Sequence, residues 1–146
     1  MVCLVVAAHG HLAEGLVASS AMIVGPSDDV VAVTFEPSEG PDDLLAKYAA
    51  AVEASSSQEY LILVDLFGGS PYNAAARFAA GRDDADVVTG VNLPMVIEVL
   101  SRRLTGAGLV ELVEAARTSA VDGVKVLSEV FTPAPTTTSD DEGDEL

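Results

Sequence analysis

The chain has 146 residues, of which 49% are apolar, a composition typical of one folded globular domain rather than of a disordered protein. Its 23 acidic residues outnumber seven basic ones and give a net charge of −16, which argues against a surface that binds nucleic acid or an anionic membrane. The one cysteine, Cys3, lies in an apolar segment, so we expect a buried thiol, no disulfide and a cytoplasmic location.

The first half of the chain alternates apolar segments with helical patterns. The uniformly apolar segments predict buried strands, and the second of them is rich in β-branched side chains. Gly25 and Pro26 predict the end of the first helix, because a helix commonly stops at Gly and cannot continue through Pro. The predicted elements are, in order, a strand over 2–8, a helix over 13–24, a strand over 30–35 and a helix over 41–54.

The second half continues the alternation. Ser70 followed by Pro71 predicts the start of a helix directly after the Gly68–Gly69 turn. The predicted elements are a strand over 61–64, a helix over 70–80, a strand over 86–89, a helix ending near 104, a helix over 109–119 and a last strand over 124–131. Residues 132–146 lack apolar periodicity and predict a disordered acidic tail, which leaves residues 1–131 as the single domain.

Strands and helices that alternate in this way predict an α/β fold with a doubly wound, mostly parallel sheet. Right-handed crossovers bring the carboxyl ends of parallel strands to one edge, where His9, Asp65 and Asn92 each follow a predicted strand. In the common flavodoxin-like order the first and third strands are neighbours at the topological switch point. We therefore expect His9 and Asp65 to lie side by side.

A histidine beside a carboxylate has a natural chemical role. Asp65 can accept a hydrogen bond from one ring N–H of His9, which leaves the lone pair of the other nitrogen free to act as a nucleophile or a base. Gly10 leaves room for a large electrophile next to that ring. The backbone N–H groups around Gly68, Gly69 and Ser70, with the Ser70 hydroxyl, could bind the oxygens of a phosphoryl group.

These motifs contain no Lys or Arg. Because phosphoryl transfer depends on positioning and on charge stabilisation, the missing positive charge would have to come from a partner. Such a need is natural for a protein that relays a phosphoryl group and unusual for a self-sufficient kinase or phosphatase.

Other classes of site fit the residues less well. His9 and His11 without a third His or Cys are too few for a metal site, so we expect neither a metal nor a cofactor. The turn after the first strand lacks the Gly, Ser or Thr run of a nucleotide or flavin binder. The first strand also ends without the paired acids of a response-regulator receiver.

Four segments together resemble the mannose-type IIA domains of the bacterial phosphoenolpyruvate-dependent sugar phosphotransferase system. They are His9–Gly10 with Ala13-Glu14-Gly15 behind it, residues 20–25 (SAMIVG), residues 65–73 (DLFGGSPYN) and residues 90–95 (GVNLPM). They lie in order over about residues 1–100, and the GGSP and NLPM stretches are the specific ones.

The resemblance implies that His9 is the phosphorylated histidine, that Asp65 orients it by a hydrogen bond and that Ser70 lies beside the phosphoryl group. It implies that the carrier protein HPr donates the phosphoryl group and that a separate IIB component accepts it for sugar uptake in the cytoplasm, with the membrane reached only through the IIC/IID transporter. It also implies a homodimer in which the last strand, over 124–131, crosses to the partner's sheet.

Two alternatives stay open at this point. One is the phosphoryl-donor subunit of a dihydroxyacetone kinase, which resembles this domain in fold and in its strand-one histidine. The other is a non-enzymatic regulatory module on the same fold. A second histidine, His11, follows so closely that it is a competing site of phosphorylation.

Overall fold

Strands and helices alternate from the first residues onward in the structure, a computed structural model that describes residues 1–131. The described elements are β1 (Val2–His9), α1 (Leu12–Val24), β2 (Val30–Phe35), α2 (Pro41–Ala54), β3 (Glu59–Val64), α3 (Ser70–Ala79), β4 (Ala85–Thr89), α4 (Leu93–Leu104), α5 (Leu109–Asp122) and α6 (Leu127–Val130). No helix among these residues is long and apolar enough to cross a membrane.

The four strands form one parallel sheet in the order β2-β1-β3-β4. The strand β1 lies between β2 and β3, with His9 in register with Phe35 and Ala7 in register with Val64. This arrangement confirms the predicted doubly wound α/β fold and the predicted neighbourhood of the first and third strands. The carboxyl ends of both central strands therefore reach the same edge of the sheet.

Helices cover both faces of the sheet, which explains why β1 is apolar at every position from Val2 to Ala8. Alternate residues of β1 pack on opposite faces: Leu4 lies in a core with α1, α4 and α5, whereas Val5 lies in a core with α2 and α3. Cys3 is fully buried in the second core, as expected, and burial raises the pKa of its thiol to about 11. Burying each large side chain stabilises the fold by about 1.5–3 kcal/mol.

At the other end of the sheet, where β1 begins, a buried arginine near the end of α4 binds backbone carbonyl groups. The Arg103 guanidinium donates hydrogen bonds to the carbonyl oxygens of Val2 (3.0 Å), Asp29 (2.9 Å) and Asp28. Asp29 has a φ of 59°, in the left-handed region, so this side chain holds a strained loop between α1 and β2. Burial lowers the pKa of Arg103, although the neighbouring Asp29 works in the other direction.

The predicted last strand over 124–131 is wrong for the described chain. Val124–Val126 form no regular element, and the short helix α6 takes up the following residues. Amides in this segment bond locally, as in the hydrogen bond from the N–H of Phe131 to the carbonyl of Leu127 (2.8 Å). The β-branched pattern was misleading because a strand needs a partner strand, and this segment pairs with none of the described strands. The predicted acidic tail, 132–146, lies outside the described residues.

Candidate active site

The strand order brings His9 and Asp65 into direct contact. The Nδ1 atom of His9 lies 2.8 Å from Oδ2 of Asp65, and the backbone N–H of His9 donates to the same oxygen at 3.0 Å. The Asp65 side chain is only 14% exposed, whereas that of His9 is 47% exposed. A largely buried carboxylate therefore holds a histidine ring that stays open to solvent.

This contact determines which ring nitrogen is available. A carboxylate only accepts hydrogen bonds, so the neutral imidazole of His9 carries its hydrogen on Nδ1. No hydrogen bond among the described residues engages Nε2, which therefore presents its lone pair. The geometry suits Nε2 as a nucleophile.

Two residues beside His9 shape its surroundings. The ring of Phe35 meets the imidazole edge-on, with 5.7 Å between the ring centroids. The N–H of Gly10 donates to the Phe35 carbonyl at 2.8 Å, and a φ of 58° at Gly10 turns the chain from β1 into α1. Sequence reasoning missed Phe35, although its position at the end of the second predicted strand was a usable signal.

The loop between β3 and α3 forms the floor of the site. Gly68 has a φ of 80°, and its carbonyl accepts a hydrogen bond from the Asn73 side chain at 3.1 Å. Ser70 is the first residue of α3, so the free N–H groups of the first helical turn face this end of the molecule. In residues 1–131, the N–H groups of Gly68 and Ser70 and the Ser70 hydroxyl have no hydrogen-bond partner. The N–H of Gly69, which was also predicted to bind phosphoryl oxygens, instead donates to the Leu66 carbonyl at 3.2 Å. The groups without a partner can receive the oxygens of an anion.

A buried tyrosine of α2 hydrogen-bonds to the start of α3, next to the β3–α3 loop. The Tyr48 hydroxyl, in the middle of α2, donates to the carbonyl of Pro71 in the first turn of α3 at 2.8 Å. Burial raises the pKa of Tyr48, and the nearby Asp65 carboxylate adds to the shift. The sequence did not predict this contact, because a hydrogen bond between two helices leaves no local signal.

His11 lies outside this arrangement. Its Nδ1 is 3.2 Å from a Glu14 oxygen and its Nε2 is 3.0 Å from a Glu36 oxygen, so both ring nitrogens already contact carboxylates. Its side chain is 67% exposed. The structure thus separates the two histidines by their partners.

Asn92 follows β4 as predicted, but its polar atoms stabilise the fold. Its side-chain oxygen caps α4 by accepting from the N–H of Met95 (3.0 Å), and its amide donates to the Ala120 carbonyl (3.0 Å).

Apolar side chains close to His9 and Asp65 in the sequence are exposed. Leu12, Leu66 and Phe67 are 49%, 59% and 73% exposed. The nearest basic residue along β2 and α2, Lys47, contacts Glu39 and the carbonyl of Thr34. Among residues 1–131, no Lys or Arg hydrogen-bonds to His9, Asp65 or Ser70, and no group of three His, Cys, Asp or Glu side chains could hold a metal ion.

Comparisons with known proteins agree on one family. Residues 3–117 match the family model EIIA-man, described as PTS system fructose IIA component. The chain is 37% identical to the fructose-specific EIIA component of Bacillus subtilis over all of both chains. It is 35% identical to the mannose-specific EIIAB component of Escherichia coli over 92% of its own length, which is 43% of that protein.

Solved structures show the same relationship. The chain superposes on the phosphotransferase system component EIIA from Streptococcus agalactiae with a TM-score of 0.81 and 27% identity. The match covers 88% of this chain and 99% of that one.

Proposed function

Because the chain belongs to the EIIA-man family of sugar phosphotransferase system components, we propose that it is a phosphohistidine carrier that uses His9. It accepts a phosphoryl group from HPr and passes it to a IIB component for sugar uptake. The observation that carries the proposal is the 2.8 Å contact between Nδ1 of His9 and Asp65, which leaves Nε2 free.

The proposed step is an in-line transfer between two histidines. The lone pair on Nε2 of His9 forms a bond to phosphorus while the bond between phosphorus and the donor's ring nitrogen breaks, and that electron pair returns to the donor's ring. The hydrogen on Nδ1 stays on His9 and keeps its hydrogen bond to Asp65. The Asp65 carboxylate stabilises the positive charge that develops on the His9 ring. The second transfer reverses these roles toward the acceptor, so no water is consumed.

The neighbouring loop would hold the transferred group. The unpaired N–H groups of Gly68 and Ser70, together with the Ser70 hydroxyl, are suited to the phosphoryl oxygens, and the N-terminus of α3 favours their negative charge. Gly69 keeps side-chain bulk away from the ring, and Gly10 turns the chain directly after His9. Since no basic side chain of the described chain contacts these groups, a cation from the partner protein completes the charge balance.

Exposed side chains close to His9 and Asp65 in the sequence support a protein as the direct partner. Exposed Leu12, Leu66 and Phe67 offer an apolar contact surface next to His9, and Glu14 and Glu36 add negative charge beside it. A carrier protein with an apolar face bordered by basic residues would match this surface. We place this exchange in the cytoplasm, with membrane contact only through the IIC/IID transporter.

A homodimer belongs to the same proposal. The free edge of β4 borders a groove of about 860 Å³, whose lining includes Val87, Val113 and Val121. The segment after α5 exposes apolar side chains, among them Leu127 and Phe131. Two copies could cover both surfaces by exchanging this segment, as the resemblance to the family implies. An unpaired strand edge and an exposed apolar segment in one chain support this arrangement.

The test is transfer that depends on HPr. The chain is incubated with phosphoenolpyruvate, the first enzyme of the system and HPr, and its intact mass is measured before and after a IIB component is added. We expect a gain of one phosphoryl group that requires HPr and disappears with IIB. Phosphorylation without HPr, or none while a known IIA protein reacts in the same mixture, would contradict the proposal and favour the dihydroxyacetone kinase donor or a regulatory module.

A further inference from the structure

The two adjacent glycines of the β3–α3 loop are glycines for different reasons. Gly68 has a φ of 80°, which favours glycine, and a Cβ atom there would meet nothing within 4 Å. Gly69 has a φ of −73° and a ψ of 169°, an extended conformation that any residue adopts. The backbone of Gly69 therefore does not call for glycine.

The space around Gly69 does require a glycine. A Cβ atom on Gly69 would lie 2.9 Å from Cε1 of His9 and 3.5 Å from Nε2, the atom that carries the free lone pair. The same Cβ would also lie 3.4 Å from the Leu66 carbonyl oxygen, so the loop leaves it little freedom to move away. Of these neighbours, the imidazole is the group that can shift most easily, because it is half-exposed and ends a side chain.

We infer that Gly69 is a positioning residue for His9. This inference rests on the proposed function, in which Nε2 of His9 attacks the phosphoryl group. The bare Cα of Gly69 lets the imidazole lie against the loop while Nδ1 stays on Asp65. A methyl group at position 69 would push the ring away, weaken the bond to Asp65 and turn Nε2 away from the N–H groups that receive the phosphoryl oxygens.

The chain offers a closely matched control. Gly108 precedes α5 as Gly69 precedes α3, and its φ of −84° and ψ of 177° are nearly the same. A Cβ atom on Gly108 would meet only a Glu59 oxygen, at 4.0 Å. Gly108→Ala and Gly69→Ala thus share the cost of alanine at a helix N-cap and differ in the contact with His9.

The experiment compares these two variants in ring geometry and in rate. The chain has two histidines, so ¹⁵N NMR resolves the His9 and His11 rings directly, and His11 serves as the internal reference. We expect Gly69→Ala to lose the Nδ1–H form of His9 and to slow phosphoryl uptake from phosphorylated HPr by about tenfold or more, the scale expected for a misplaced reacting group. Gly108→Ala should leave both readouts close to those of the wild type.

Combining the change with Asp65→Asn tests the route of the effect. If Gly69 acts by keeping the ring on Asp65, Gly69→Ala should slow the Asp65→Asn variant much less than it slows the wild type. A His9 ring signal and a rate like those of Gly108→Ala would overturn the inference, and so would a slower rate with an unchanged ring signal. The ring signal is measured without phosphoryl transfer, so a wild type that takes up no phosphoryl group would refute the proposed function separately.

Discussion

The two histidines of this chain differ in what their ring nitrogens contact. His9 has one nitrogen bonded to Asp65 and one free, whereas both nitrogens of His11 contact glutamates. Each His11 nitrogen faces a carboxylate oxygen, so an approaching phosphoryl group would meet the negative charge of Glu14 and Glu36. This difference supports His9 over His11 as the phosphorylated residue.

Asp65→Asn should slow phosphoryl uptake on the order of 10²-fold while leaving measurable activity. The amide can still accept a hydrogen bond from Nδ1–H, but it lacks the charge that stabilises the phosphorylated ring and it can also turn its N–H₂ toward Nδ1. Rapid-quench measurement of uptake from phosphorylated HPr gives the rate, and circular dichroism checks that the fold is kept. A rate equal to that of the wild type would remove Asp65 from the mechanism.

Only some of the contacts between individual residues of the site could be predicted from the sequence. His9 and Asp65 could be placed together because each ends an apolar strand and the strand order follows a general rule. The contact of Phe35 with His9 and the space above Gly69 depend on the register of strands and the path of a loop. Sequence pattern does not encode these distances.

Elements differ in how much they depend on distant partners. Helix α4 begins at a local cap that is visible in the sequence, Asn92 followed by Leu93 and Pro94. The segment over 124–131 has a strand-like composition, but its conformation depends on which edge is available to it. A basic residue in the last turn of a helix, such as Arg103, usually lies at the surface, so its burial could not be predicted.

Arg103→Ala should destabilise the fold by about 3 kcal/mol, because it leaves three carbonyl oxygens of the sheet edge and its loop without their charged donor. The neighbouring Arg102 is the control, since it is 62% exposed and pairs with Glu98 one turn away. Arg102→Ala should cost no more than about 0.5 kcal/mol. Equilibrium unfolding in urea measures both changes, and equal losses would show that Arg103 does not anchor this edge.

At the scale of the whole molecule, one chain leaves a groove and an apolar segment exposed, and we propose that two copies cover them by exchange. The groove beside β4 is lined mostly by apolar residues, with Asp86 and Arg117 among the polar ones, and the segment after α5 is exposed along its whole described length. The parallel sheet could be predicted from the alternation of elements, but alternation says nothing about which copy of the chain covers an edge. The family resemblance supplied that expectation, and the structure of one chain supplies compatible surfaces.

Removing residues 124–146 should convert a dimer into a monomer, because the deletion takes away the apolar segment that would fill the partner's groove. A chain that ends at residue 131 keeps that segment and should remain dimeric, which separates its role from that of the acidic tail. Size-exclusion chromatography with light scattering measures the mass of each form. A full-length chain that is monomeric at micromolar concentration, or a dimer that survives the longer deletion, would contradict the exchange.

The most direct test of the proposed function is to identify which histidine is phosphorylated. Wild type, His9→Ala and His11→Ala are each incubated with phosphoenolpyruvate, the first enzyme of the system and HPr, and intact mass is measured before and after acid treatment. We predict an acid-labile gain of one phosphoryl group in wild type and in His11→Ala, and none in a folded His9→Ala. A gain that persists in His9→Ala and is lost in His11→Ala would contradict the assignment to His9.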